Sequence, residues 1–223
     1  MRATCEPHVS EASGHYYKLM HHPKLDAGLI ILAAGGGRRA GGPKALKAID
    51  GRPALILWAE SYAQTLRGPV IAVVSPTVYS HLDAGAPQLD PPHLKMLINP
   101  TPETSGAADS LLIALNELPP NTPTFITPID CPPVEPRTLE LLWAALQEGA
   151  QAAIPTHANQ EGHPILLSPS SCLAYRAAPT RLDHFLSNSI STQQVAVKDP
   201  AVLRNLNTAD QWEHLSIEGA PCF

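Results

Sequence analysis

A glycine-rich stretch with three cationic side chains directly follows a short apolar run. Leu29 to Ala34 is branched and uniformly apolar, which predicts a strand buried on both faces of a parallel sheet. In the glycines at 35–37 and 41–42, no side chain restricts the backbone, so successive N–H groups can point at one anion. Arg38, Arg39 and Lys44 add charge that suits phosphate oxygens. The stretch therefore predicts a binding site for a polyanion.

Two familiar phosphate-binding motifs do not fit this stretch well. A P-loop needs a Ser or Thr after its lysine to bind Mg²⁺, whereas Pro43 precedes Lys44 and Ala45 follows it. A dinucleotide-binding fingerprint can be aligned from Gly35 to Ala40, but it should open a continuous helix, and Pro43 prevents one. A glycine-rich surface turn with solvated charges is the remaining structural alternative.

A second apolar strand, starting at Phe125, places an aspartate at its carboxyl end. Pro132 and the proline after it stop the chain from continuing as a strand or helix beyond Asp130. Open α/β sheets bind their ligands at this edge. A carboxylate there suits Mg²⁺, which prefers one or two carboxylates together with substrate phosphates. A loop aspartate that caps the next helix is the alternative.

In their order along the chain, these motifs resemble those of the molybdenum cofactor cytidylyltransferase and guanylyltransferase family. The segment from Leu32 to Lys44 matches Leu-Ala-Ala-Gly-x-x-x-Arg-x-Gly-x-Pro-Lys, and the segment at Asp130 matches Asp-x-Pro. An Asn-Pro at Asn99 and a Gly-x-x-x-Ser-Leu at Gly106 match positions that lie at the base and ribose in that family. The resemblance covers nearly the whole chain from residue 28.

The resemblance implies an enzyme that joins the NMP part of an NTP to a phosphorylated acceptor and releases pyrophosphate. It implies that Arg39, Lys44 and Asp130 are catalytic and that Asp130 and Asn207 bind Mg²⁺. The cytidylyl branch has Asp-x-Asp-Thr where this chain has Asn205 and Asn207, and an amide oxygen can ligate Mg²⁺ without adding charge. The implied nucleotide-binding residues are Leu32, Ala33, Ala34, Gly35, Gly37, Arg38, Gly41, Asn99, Gly106 and Ser110.

Two further segments bear on the acceptor. Gly162-His163-Pro164 resembles the cytidylyl branch, in which the histidine faces the acceptor, and Arg181 matches the cation of a Gly-x-Arg segment whose glycine is absent here. CTP with molybdopterin is therefore the first expectation. GTP with molybdopterin is the second, favoured by the Asn-x-Asn-Thr ending, and a sugar or polyol phosphate acceptor is the third. A nucleotide-binding protein without catalytic activity is the alternative from another class.

The resemblance implies an α/β fold: a three-layer α/β/α, Rossmann-like domain with a mostly parallel sheet, of the nucleotide-diphospho-sugar transferase type. The β-α-β pattern of the residues agrees with it. Apolar runs and turn residues predict the elements. The predicted strands are 70–74, 94–98, 151–155 and 193–197, and the predicted helices are 53–66, 107–118, 135–148 and a final one ending near 217. Residues 84–93 are predicted to be loop, and Thr208 with Gln211 to cap the final helix.

Composition excludes several classes of protein. A formal net charge of -5 with only 15 Lys and Arg argues against a nucleic-acid partner. The four cysteines form no Cys-x-x-Cys pair, so neither a zinc site nor a disulfide scaffold is indicated, and a reducing cytoplasm is expected. No apolar run is long enough for a membrane span. One domain over 28–223 is predicted, after an extension over 1–27 that has no usable period and is compatible with disorder.

We expect Lys44→Ala and Asp130→Ala each to abolish turnover without unfolding the domain, because both side chains neutralise or organise phosphate charge. Pyrophosphate release measures turnover, and thermal unfolding measures the fold. Release at the wild-type rate from either variant would refute the assignment.

Overall fold

A mostly parallel sheet with helices packed on both faces forms the protein, as a computed structural model shows for residues 23–85 and 94–218. The predicted three-layer α/β/α fold is confirmed. In the described residues the strands are β1 (Gly28–Ala33), β2 (Ala48–Ile49), β3 (Arg52–Pro53), β4 (Val70–Val74), β5 (Leu94–Ile98), β6 (Thr124–Pro128), β7 (Ala152–His157), β8 (Gln160–Glu161), β9 (Ile165–Leu167) and β10 (Thr192–Ala196). The α-helices are α1 (Ala54–Thr65), α2 (Pro76–Gly85), α3 (Ala107–Glu117), α4 (Pro136–Gln147), α5 (Pro169–Ala177), α6 (Leu182–Asn188) and α7 (Ala209–Glu218).

The order of strands places β1 in the interior of the sheet. The order is β10-β7-β9-β6-β1-β4-β5, with β8 paired to β7, while β2 and β3 form a separate hairpin. β1 runs parallel to both β4 and β6, and Ile31 pairs with Ala72 on one side and Thr127 on the other. β9 is antiparallel to β6 and β7. The carboxyl ends of β1, β4 and β6 therefore lie together at one edge, where a parallel sheet binds its ligands.

The residues of β1 alternate between two hydrophobic cores. Leu29 and Ile31 pack with residues of α1, α4 and α7, whereas Ile30 packs with residues of α3, α5 and α6 on the opposite face. All three side chains are fully buried. This alternation, which follows from the two-residue period of a strand, explains why a run that is apolar at every position forms β1.

Three helices of the described residues were not predicted from the sequence: α2, α5 and α6. In α2 the buried residues are Val78 and Leu82, which lie four positions apart on one face. Of the predicted loop over 84–93, residues 84 and 85 instead end α2, and 86–93 lie outside the described residues. The remaining predicted strands and helices agree with the structure to within two residues at their ends.

Residues just before β1 are already attached to the domain. Leu25 forms a parallel bridge with Leu66, and Ala27 is fully buried. Residues 1–22 of the predicted extension lie outside the described residues, so that prediction stands as a prediction. None of the helices in the described ranges combines the length and apolar character needed to cross a bilayer.

A methyl group at Gly68 should destabilise the domain. A Cβ at this position would lie 2.5 Å from the carbonyl oxygen of Ala27, within backbone that leads into β1. We expect Gly68→Ala to lower the free energy of unfolding by about 1–3 kcal/mol, the usual cost of overpacking. Gly36→Ala is the matched control, because a Cβ there meets nothing within 4 Å. Equal stability of the two variants in urea unfolding would contradict this account.

Candidate active site

The glycine-rich loop after β1 is closed by glycines at defined positions. Gly37 and Gly41 have φ angles of 60° and 75°, in the left-handed region that glycine favours. The N–H of Gly42 donates to the carbonyl of Gly37 over 3.1 Å, and a Cβ on Gly37 would lie 1.9 Å from the Gly42 oxygen. Gly37 is therefore required by a close approach of backbone to backbone.

The closed loop leaves a row of backbone N–H donors and two arginine side chains available to an anion. Within residues 23–85 and 94–218, the backbone N–H groups from Gly35 to Arg39 donate to no protein acceptor. Arg38 and Arg39 are exposed and form no ion pair with any other described residue. Free amides in succession beside unpaired guanidinium groups are the features of an anion-binding loop.

Lys44 connects this loop to the opposite side of the site. Its Nζ donates to Oδ2 of Asp130 over 2.7 Å and to Oδ1 of Asn207 over 2.9 Å. The Lys44 and Asp130 side chains are 15% and 18% exposed, so the ion pair is partly withdrawn from water. The two oxygens converge on one cationic group, at the carboxyl end of β6.

Backbone hydrogen bonds hold Asp130 and Asn207 side by side. The N–H of Ile129 donates to the carbonyl of Leu32 over 3.0 Å, and the N–H of Leu206 donates to the carbonyl of Asp130 over 2.8 Å. The predicted helix cap also forms, because Oε1 of Gln211 accepts from the N–H groups of Asn207 and Thr208. The segment before α7 is thus fixed against the end of β6.

Asn99 holds the loop that forms one wall of the site. Its side chain is buried, its Nδ2 donates to the hydroxyls of Ser105 and Ser110 at 2.7 Å and 2.9 Å, and its Oδ1 accepts from the N–H of Thr101. Both hydrogens of the amide are therefore used within the protein. Asn99 fixes the loop that leads into α3, whose start is further held by the Asp109 carboxylate on the N–H of Gly106.

These elements enclose a cavity of about 430 Å³. Most of the site residues predicted from the sequence line it: Leu32, Ala34, Gly35, Gly37, Arg38, Arg39, Lys44, Asn99, Gly106, Ser110, Asp130 and Asn207. Ala33 instead packs in the hydrophobic core that contains Leu29 and Ile31. Gly41 does not line the cavity, and its N–H donates to the carbonyl of Arg38 within the loop. Five further residues that line the cavity were not predicted from the sequence: Pro102, Ser105, Ala107, Pro128 and Ile129. Their only signal was their position beside matched motifs.

The two residues predicted to bind the acceptor are placed differently. His163 lines a second cavity of about 680 Å³ together with residues of β7, α6 and β10. Its Nδ1 is buried and has no hydrogen-bond partner in the described part of the chain. Burial lowers the pKa of the His163 imidazole, and the charge of Asp130 partly opposes this. Arg181 is exposed, pairs with Asp183 over 2.9 Å and lines neither cavity, so the structure adds nothing to its predicted role.

Residues 29–194 match the model of the MobA-like NTP transferase domain, which accounts for well over half of the chain. The chain belongs to the MobA-like NTP transferase family. It is therefore a nucleotidyltransferase. No curated protein matches the chain significantly.

Solved structures similar to this MobA-like transferase share its fold at low sequence identity. A nucleotidyl transferase from Methanothermobacter is 18% identical with a TM-score of 0.67, over 86% of this chain and 96% of the other. Molybdopterin-guanine dinucleotide biosynthesis protein A from Archaeoglobus fulgidus is 18% identical with a TM-score of 0.64, over 86% and 97%. Rv0371c from Mycobacterium tuberculosis, in complex with manganese, is 18% identical with a TM-score of 0.64, over 86% and 99%.

The lowered pKa of His163 predicts a loss of stability in acid. The folded protein favours the neutral imidazole, whereas the unfolded chain takes up a proton at its ordinary pKa of about 6.5. We therefore expect the contribution of His163 to be constant above that pH and to decline as the pH falls below it. Urea unfolding at neutral and mildly acidic pH should show a smaller decline for His163→Gln than for the wild type. Identical declines would contradict the prediction.

Proposed function

We propose that the protein is a molybdopterin cytidylyltransferase, which transfers CMP from CTP to the phosphate of molybdopterin and releases pyrophosphate. The observation that carries this proposal is the junction at Lys44, where the anion-binding loop meets Asp130 and Asn207. The choice of CTP rests on the Gly162-His163-Pro164 segment, which resembles the cytidylyl branch of the family.

Positioning and charge neutralisation supply most of the catalysis in this proposal. The free amides of the loop hold the triphosphate, and Arg38 and Arg39 neutralise the charge that develops on the leaving pyrophosphate. Lys44 already lies at the cavity and can donate to a phosphate oxygen, since an ammonium carries three hydrogens and its contacts to Asp130 and Asn207 use two of them. The acceptor phosphate then attacks the α-phosphorus in line with the leaving group.

The oxygens around Lys44 also fit a divalent cation. Asp130 and Asn207 present one carboxylate and one amide oxygen that already share a cationic partner. In residues 23–85 and 94–218, no group of three or more His, Cys, Asp or Glu side chains is arranged to hold a metal, so the protein builds no complete cage there. This suits Mg²⁺, which keeps several waters and binds through one or two carboxylates plus phosphates. When bound by Asp130 and Asn207, Mg²⁺ would neutralise phosphate charge during transfer.

The second cavity is suited to the organic part of the acceptor. His163 lines the second cavity, and the charge of Asp130 in the first cavity partly opposes the lowering of its pKa by burial. Apolar side chains of Ile165 and Leu186 line this cavity together with the carboxylates of Glu161 and Asp183. Among the described residues its lining contains no Lys or Arg, which favours a neutral or donor-rich ring, while the phosphate of the acceptor lies toward the loop.

Nucleotide choice can be measured by thermal unfolding with CTP, GTP, ATP and UTP at equal concentration, each with Mg²⁺. We expect CTP to raise the melting temperature most, and removal of Mg²⁺ with a chelator to reduce that rise. A ligand at a hundred times its Kd stabilises the fold by about 2.7 kcal/mol, which thermal unfolding detects readily. A larger rise with GTP would replace CTP in the proposal and favour the guanylyl activity that the Asn205-x-Asn207 ending suggests.

The choice of acceptor has to be measured in a turnover assay. Pyrophosphate release should need CTP, Mg²⁺ and molybdopterin together, and a sugar 1-phosphate in place of molybdopterin should give none. Lys44→Ala supplies the inactive control in the same assay. Release with a sugar phosphate, and none with molybdopterin, would overturn the proposed acceptor while leaving the nucleotidyltransferase assignment intact.

A further inference from the structure

Two stacked tryptophans lie next to the segments that carry Asp130 and Asn207. Trp58 of α1 and Trp212 of α7 are buried, with ring centroids 6.2 Å apart and planes inclined by 19°. A buried indole needs an acceptor for its N–H, since the ring otherwise carries an unsatisfied donor. Where these two donors point decides what the pair does.

Each indole donates to the carbonyl immediately before a site residue. Nε1 of Trp58 donates to the oxygen of Ile129 over 3.1 Å, and Asp130 follows Ile129. Nε1 of Trp212 donates to the oxygen of Leu206 over 3.0 Å, and Asn207 follows Leu206. The same relation therefore occurs twice, on two helices and two separate segments.

This relation has a direct consequence for side-chain direction. The carbonyl of Ile129 shares a rigid peptide plane with the N–H of Asp130, so fixing the carbonyl fixes the backbone from which the carboxylate projects. The same holds for Leu206 and Asn207. The two segments are also linked, because the N–H of Leu206 donates to the carbonyl of Asp130 over 2.8 Å.

The helices that carry the pair also contact the cationic loop. α1 packs against the turn that contains Lys44, and α7 packs against the turn that contains Arg38 and Arg39. The N–H of Ala54, the first residue of α1, donates to the carbonyl of Lys47 over 2.8 Å. The helices that carry the pair thus contact the anion-binding loop, while the indoles themselves bind the two segments whose oxygens face Lys44.

We propose that Trp58 and Trp212 are positioning residues that set the directions of Asp130 and Asn207 through their indole N–H groups. The inference rests on the proposed roles of those two side chains. Phenylalanine at either position keeps an aromatic ring for stacking but leaves a buried carbonyl without its indole donor, so that peptide plane is held less firmly. The metal-facing oxygens would lose their common direction.

The test compares Trp58→Phe and Trp212→Phe with the wild type, using Trp143→Phe on α4 as the matched control. The two variants should lower kcat by roughly tenfold or more and raise the Mg²⁺ concentration that gives half the maximal rate, because a misplacement of about 1 Å can cost about a hundredfold. Trp143→Phe should leave both quantities unchanged. Because the linked segments serve one junction, the double variant should lose less than the product of the single losses.

A spectroscopic measurement keeps the test decisive if a phenylalanine variant does not fold. The chain has three tryptophans, so Trp143→Phe leaves Trp58 and Trp212 as the only ones. Their fluorescence should change as Mg²⁺ and CTP are added, and adding Asp130→Ala in this background should remove the response to Mg²⁺. A pair that is not coupled to the metal-facing side chains would give no such metal-dependent signal.

The outcomes separate this inference from the function on which it rests. Full pyrophosphate release by Asp130→Ala would overturn the proposed site itself. An inactive Asp130→Ala, with Trp58→Phe and Trp212→Phe as active as Trp143→Phe at every Mg²⁺ concentration, would overturn only the positioning role. An unchanged fluorescence of the pair during the Mg²⁺ titration would overturn it as well.

Discussion

The ammonium group of Lys44 joins three parts of the chain that are far apart in sequence. It contacts Asp130, 86 residues away, and Asn207, 163 residues away. The rest of the site depends on this junction, because it brings the glycine-rich loop, the end of β6 and the segment before α7 to one point. An ammonium group suits such a junction, since its three donors can rotate onto oxygens that arrive from different directions.

The junction also determines the charge distribution around the cavity. Lys44 and Asp130 are both partly buried, so each stabilises the other in surroundings where a lone charge would be costly. Arg38 and Arg39 stay exposed nearby, although the whole chain has a formal net charge of -5. Positive charge is therefore concentrated at the mouth of the cavity, which favours the approach of an anionic nucleotide over other surfaces of the protein.

Local sequence patterns predicted much of the fold, and the elements that they did not predict have physical explanations. The strands of the central sheet are short apolar runs bounded by turn residues, which is why β1, β4, β5 and β6 were predicted. The helices α2, α5 and α6 bury few residues each, so their apolar period is weak. α5 does carry a local start signal, since the hydroxyl of Ser168 accepts from the N–H of Ser171 and Pro169 follows.

The sequence by itself determined the loop, its cations and the aspartate after β6, because backbone freedom at glycine and the direction of a parallel strand are local properties. Only the tertiary structure decided which groups those side chains meet. It used the amide of Asn99 within the protein, left Arg181 outside both cavities and placed the indoles of Trp58 and Trp212 behind Asp130 and Asn207. Such partners come from distant segments, and packing rather than sequence spacing brings them within hydrogen-bond distance.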